Sequence, residues 1–120
     1  MRRSVRIARP DEMTEAFAAS QKETAMAAYV ILIREKLRDA EAMARYAEAA
    51  RHARGDHRIT PLAFYGAHEV TEGADADGVV ILSFPTMPEA RAWYDSPAYT
   101  EAKKHRFQAA DYRVIFVEGV

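Results

Sequence analysis

Two short segments, Val30 to Ile33 and Val79 to Leu82, are apolar at every position. Side chains along a strand point alternately to opposite faces, so a strand that is apolar at both parities needs cover on both sides. Ile31 and Ile33 alternate with Val30 and Leu32, and Val79 and Ile81 alternate with Val80 and Leu82. One layer of helices covers one parity. An uncovered patch of that size on the other face invites association. The simplest cover is a second copy of the same sheet, so the pattern predicts a homodimer that pairs through the open sheet face.

The remaining signals place these strands in a definite order. Ala28 to Arg34 reads as the first strand. Asp39 caps a helix running to about Arg54, with Ala40, Met43, Ala47 and Ala50 on its buried face and Tyr46 at the edge. Arg51, His52 and Arg54 suit the negative end of the helix dipole, and Gly55 suits the left-handed residue that follows. Pro61 opens a second strand, Leu62 to Thr71, with Gly66 marking a bulge or a close backbone contact. A turn-rich connection from Glu72 to Gly78 leads to a third, central strand, Val79 to Phe84. Thr86-Met87-Pro88-Glu89 is a capping box, and it predicts a helix to Tyr94. Asp95-Ser96-Pro97 interrupts that helix, and Ser96 caps another from Pro97 to about Gln108. Tyr112 to Glu118 is the last strand. The order is β-α-β-β-α-β with a split second helix. It predicts an α+β, ferredoxin-like fold with a four-stranded antiparallel sheet and helices on one face.

At 120 residues, 49% of them hydrophobic, the chain has material for one domain and one core. Residues 26–120 carry that domain. Residues 1–25 differ: four arginines open the chain, and a weak helix is predicted over Asp11 to Thr24. This extension reads either as a regulatory or targeting arm or as a loosely packed segment ahead of a functional start at Met26. A net charge of -1 supplies no field for nucleic acid. The absence of cysteine removes disulfides, thiolate metal sites and cysteine nucleophiles and fits a cytoplasmic location. The longest apolar run, Ala25 to Ile33, is too short to span a bilayer and lacks the form of a signal peptide.

Phe84-Pro85, the run Ala92-Trp93-Tyr94-Asp95-Ser96-Pro97 with Tyr99, and Arg106, Glu72-Gly73 and Glu118-Gly119 resemble the domain-of-unknown-function family 1330, of the dimeric α/β-barrel superfamily. The resemblance covers about Ala28 to Gly119. Where the family usually carries a Gly-Gly pair and an Arg-Gly-Gly stretch, this chain has Gly55-Asp56-His57 and Tyr65-Gly66-Ala67. The resemblance implies a ferredoxin-like protomer whose sheet packs face to face with a partner's. It implies no reaction. The wider superfamily includes cofactor-independent monooxygenases, haem-degrading enzymes and stress-responsive proteins, an analogy of fold and not of function.

Candidate site residues follow from residue type and placement. No close His-x-His or His-Glu-x-x-His arrangement, phosphate loop, Gly-x-Ser-x-Gly or paired-carboxylate motif occurs, so no metal and no cofactor is expected. His68, placed by strand alternation on the face of Phe64 and Gly66, is a candidate proton-transfer residue or an interface histidine. Glu72 is a candidate general base or a turn-stabilising carboxylate. Trp93, Tyr94 and Tyr99 wall a ligand pocket or fill a core. Arg106 clamps a ligand anion or pairs with Asp95, Asp111 or Glu118. Asp95 is expected to accept backbone N–H groups at the start of the following helix, and Arg34 and Arg113 to form rim ion pairs across the dimer. Two functions remain open: a small-molecule pocket with metal-independent acid–base chemistry on a partly apolar anionic compound, and a non-catalytic dimeric interaction or stress-response module. A cofactor-free oxygenase or haem-linked enzyme enters by superfamily analogy alone. The pocket reading requires His68, Glu72, Tyr99 and Arg106 to converge on one cavity.

Overall fold

The computed structural model describes residues 26–120; the helix expected over Asp11 to Thr24 lies outside the described residues. The elements are β1 (Ala28–Leu37), α1 (Ala40–Ala53), β2 (Thr60–Phe64), β3 (Gly78–Phe84), α2 (Met87–Tyr94), α3 (Pro97–Ala109) and β4 (Ala110–Glu118). They form one four-stranded antiparallel sheet in the order β2-β3-β1-β4, with the doubly apolar segments on the two central strands.

Register assigns the two parities. Val30 lies opposite Leu82 and Phe116, and Leu32 lies opposite Val80 and Val114. These side chains face the helices, where Ala28, Val30, Leu32, Val80, Leu82 and Phe84 form the core with Trp93 and Tyr99. Complete burial of a side chain such as Val30 or Phe84 contributes about 1.5–3 kcal/mol. The opposite face carries Tyr29, Ile31, Ile33, Val79 and Ile81, all half-buried, with Ile115 and Val117 exposed on β4. No element of residues 26–120 packs a helix over it.

The helix ends follow local chemistry. Asp39 accepts the N–H groups of Glu41 and Ala42 at 3.0 and 3.1 Å. Gly55 adopts φ +50°, a left-handed conformation that an L side chain resists. Thr86 accepts the Glu89 N–H at 3.1 Å, and its hydroxyl donates to the Glu89 carboxylate at 3.3 Å. Thr86→Ala should therefore destabilise the protein by about 1 kcal/mol, read from the midpoint of urea unfolding. An unchanged midpoint would mean that α2 begins without help from this cap.

Several expected boundaries differ. β2 ends at Phe64 rather than Thr71, because Tyr65 takes φ +55°, through which an extended strand cannot continue. Residues 66–77 form a long connection without helix or strand. A close approach holds the turn: the Tyr65 ring lies over Gly78, where an added Cβ would sit 2.6 Å from a ring carbon. α1 is also rotated from its expected setting. Ala42, Tyr46 and Ala53 are its buried residues, while Ala40 and Ala47 are exposed. Asp95 leaves the second cap to Ser96, which accepts the Tyr99 N–H at 3.1 Å; Asp95 instead pairs with Arg91 at 3.0 Å. Within the chain, Arg34 pairs with Asp77 and Arg113 with Glu35.

Candidate functional site

The break between α2 and α3 sets an aromatic cluster. Proline at position 97 ends one helix, Ser96 starts the next, and the two short helices meet the sheet with Trp93, Tyr94 and Tyr99 pointing together. The ring centroids of Trp93 and Tyr99 are 4.2 Å apart and those of Tyr94 and Tyr99 are 5.6 Å apart. Phe84 packs on Trp93 at 5.3 Å, and Phe116 meets Tyr94 edge-on at 5.2 Å. Across the gap, α1 contributes Tyr46, whose hydroxyl lies 2.6 Å from that of Tyr99. Burial disfavours the phenolate, so it pushes Tyr46 well above the usual tyrosine range and Tyr99 up to about 12. Both are neutral hydrogen-bonding groups at neutral pH.

Tyr46, Trp93 and Tyr99 line one end of a cavity of about 620 Å³ between α1 and the helix-facing side of the sheet, whereas Tyr94 and Arg106 do not line it. Leu32, Val80 and Leu82 form the sheet wall; Met43, Ala47 and Ala50 form the helix wall. Pro61, Phe64 and Tyr65 close the β2 side. Phe64 is 67% exposed, an unusual setting for so large an apolar side chain. Three arginines, Arg34, Arg51 and Arg54, also line the space, whereas among the described residues no carboxylate and no imidazole does. The cavity explains the rotation of α1: the stripe Met43-Ala47-Ala50-Arg54 faces this space rather than solid core.

Arg106 sits beside the cluster and is 2% exposed. Its Nη2 donates to the Tyr94 hydroxyl at 3.4 Å, its Nε has no partner, and it forms no ion pair among the described residues. The pairings expected for it are made by others, Asp95 with Arg91 and Asp111 with Arg38. Aromatic faces surround its charge instead, with its guanidinium carbon 5.1 Å from the Tyr112 ring centroid and 5.3 Å from that of Phe107. A second phenol pair, Tyr65 and Tyr112 at 2.5 Å, lies at the β2 side, and burial pushes the Tyr112 hydroxyl well above the usual tyrosine range.

The other two candidates lie elsewhere. His68 is on the 66–77 connection, exposed, with Nε2 2.9 Å from the Ala76 carbonyl and Nδ1 3.3 Å from that of Gly66. These two carbonyls favour its protonated form and raise its pKa. Two acceptors on one imidazole fit a brace that closes the loop better than a free base. Glu72 lines a separate hollow with Ile31, Ile33, Val79 and Arg113, on the open side of the sheet. So Tyr99 and Glu72 are on opposite faces of the sheet, and His68 lines neither cavity. The structure gathers Trp93, Tyr94, Tyr99 and Arg106 and separates them from His68 and Glu72. Among the described residues no three of His, Asp and Glu gather in a metal-binding arrangement.

Sequence reasoning missed Tyr65 and the lining roles of Tyr46, Arg34, Arg51 and Arg54. A signal was present on α1, where an apolar stripe of small residues runs into arginine at the helix end. Apolar spacing is the same whether a stripe faces core or cavity, so periodicity could not separate the two.

Comparison with known proteins agrees with this architecture. Among solved structures, a protein of unknown function from Rhodopseudomonas palustris matches with a TM-score of 0.63 at 21% identity, covering 89% of this chain and 94% of that one. A dimeric ferredoxin-like protein of unknown function from Thermobifida fusca matches with a TM-score of 0.56 at 14% identity, covering 79% and 92%. SnoaB, a cofactor-independent oxygenase from Streptomyces nogalater, matches with a TM-score of 0.50 at 15% identity, covering 78% and 91%. At these identities the likeness is one of fold. No curated protein matches the chain. No helix of the described residues is long and apolar enough to cross a membrane. The family described as domain of unknown function DUF1330 matches residues 27–120, nearly all of the ferredoxin-like domain, and the chain belongs to that family.

Proposed function

We propose that the protein is a homodimer, paired through its open sheet face, in which each protomer holds a small, partly apolar, anionic molecule between α1 and the sheet. The observation that carries the ligand reading is the lining of the cavity: an apolar space of about 620 Å³ with three arginines at its wall, of which Arg54 forms no ion pair among the described residues while Asp77 and Glu48 pair the other two. A space of that size and composition matches small-molecule sites in general. The buried, unpaired charge of Arg106 beside the same aromatic cluster adds to the preference for an anion. The dimer reading rests on the apolar side chains of the open face and on the dimeric state described for the Thermobifida fusca neighbour. The pocket reading is one of binding, because His68 and Glu72 stand outside this cavity and the described lining offers no carboxylate or imidazole as a base.

Ala50 tests the cavity directly. It is half-buried on a helix and lines the space, so Ala50→Phe fills the slot with a residue that the helix tolerates. Calorimetric titration with a panel of aromatic and short aliphatic anions should give saturable binding at one site per protomer, lost about tenfold or more in Ala50→Phe with circular dichroism unchanged. A panel that binds the variant as well as the parent would place the ligand elsewhere.

A further inference from the structure

We infer that the inner wall of the cavity receives a single ionised oxygen on a flat ring, a phenolate or an enolate, in preference to the neutral form of the same compound. This rests on the ligand cavity proposed above and names the class of its occupant. The first observation is a count of donors. Tyr46 and Tyr99 carry two hydroxyl protons, and their mutual bond at 2.6 Å uses one. One O–H remains for an acceptor on a wall otherwise made of rings and aliphatic groups. A lone donor suits one oxygen, whereas a carboxylate is better matched by an arginine fork.

The second observation is charge. Arg34 and Arg51, which line the cavity, are balanced by Asp77 and Glu48. Arg54 also lines it and forms no ion pair among the described residues; it donates to the Ile59 carbonyl. Behind the two phenols stand Arg106, unpaired and buried, and Lys103, whose Nζ is 3.8 Å from the Tyr94 ring centroid and 5.8 Å from that of Tyr99. Neither forms an ion pair among the described residues. The net field at the phenol pair is positive, and because both phenols are buried it is screened less there than in bulk water. An ionised oxygen gains from that field; a neutral one does not. The proton it loses on binding goes to the buffer, since the described lining carries no base.

Shape supplies the third. The alanines of α1 line one side of the space and Leu32, Val80 and Leu82 of the sheet line the other, which makes it a slot between a helix and a sheet. A planar ring fits a slot of this kind.

The experiment uses 4-nitrophenol, whose ionised form absorbs visible light, with 4-nitroanisole as its non-ionisable methyl ether. Titration of each into the full-length protein across neutral pH should show the phenolate bound about tenfold more tightly than the phenol, which lowers the apparent pKa of the bound probe by about one unit. 4-Nitroanisole should bind no better than the neutral phenol. The double variant Tyr46→Phe, Tyr99→Phe, which keeps both rings and removes both hydroxyls, should shrink the preference, and Arg54→Gln should do so with no change to the core. Equal binding of the two forms, or 4-nitroanisole binding as tightly as phenolate, would overturn this inference and leave the cavity reading in place. Binding of other panel anions but not of 4-nitrophenol would do the same. An absence of saturable binding by every probe would remove both.

Discussion

Replacing Ile81 with glutamate is expected to turn a dimer into a monomer. Ile81 lies on β3 with Ile31 of β1 opposite on one side and Ala63 of β2 on the other, so it occupies the middle of the open face. No helix among residues 26–120 covers the face, the 66–77 connection meets only Ile31, Ile33 and Val79 there, and Ile115 and Val117 extend it onto β4 at 42% and 44% exposure. Within one protomer a glutamate here points to water and disturbs little. At the centre of a paired apolar face, each carboxylate must leave water without a partner, which costs about 4 kcal/mol and raises the dissociation constant on the order of a thousandfold. Sedimentation at micromolar concentration should find the parent at twice its chain mass of 13.5 kDa and the variant at that mass itself. Unchanged circular dichroism would show that the fold survives. A parent that sediments as one chain, or a variant that stays paired, would end the case for this interface.

Arg106→Met is expected to stabilise the protein while weakening its ligand binding. Arg106 is 2% exposed, lacks a carboxylate among the described residues and leaves Nε without a partner. Buried ions with poor partners are often better replaced by an apolar side chain of similar length, a change that gains about 1–4 kcal/mol. Here a gain near the middle, about 2 kcal/mol, follows, because the cation–π contacts to Tyr112 and Phe107 and the bond to Tyr94 recover part of the lost hydration. Thermal unfolding reads the first effect and the anion titration reads the second. A variant that is less stable than the parent would assign Arg106 to the scaffold. Higher stability with undiminished anion binding would leave its buried charge without a use in the cavity. The opposed signs matter: a residue that weakens the fold and strengthens the site marks function in the way that a core residue does not.

The caps and the alternation of the strands were legible because their causes are local. Asp39, Thr86 and Ser96 each satisfy donors two or three residues away, and Gly55 takes a conformation that few other residues tolerate. Val30 and Ile31 had to face opposite ways whatever the register. The end of β2 was less accessible. Leu62 to Thr71 has strand-like composition in its first half, but the strand stops where Tyr65 turns to φ +55° and settles on Gly78, thirteen positions along the chain. His68 was carried off the sheet by that turn.

Composition and pattern by themselves determined the order of elements, the antiparallel sheet and the excess of apolar strand surface, since propensity, capping and alternation act over a few residues. Tertiary structure alone decided which parity met the helices, which side chains faced a cavity, and which charges lost their partners. Each of those depends on distances between groups remote in the chain: Tyr46 reaches Tyr99 across 53 positions, and Asp77 reaches Arg34 across 43. Asp95 and Asp111, engaged by Arg91 and Arg38, are thereby unavailable to Arg106. Local rules do not contain such distances, and a buried guanidinium between phenols looks in sequence like any arginine on a helix.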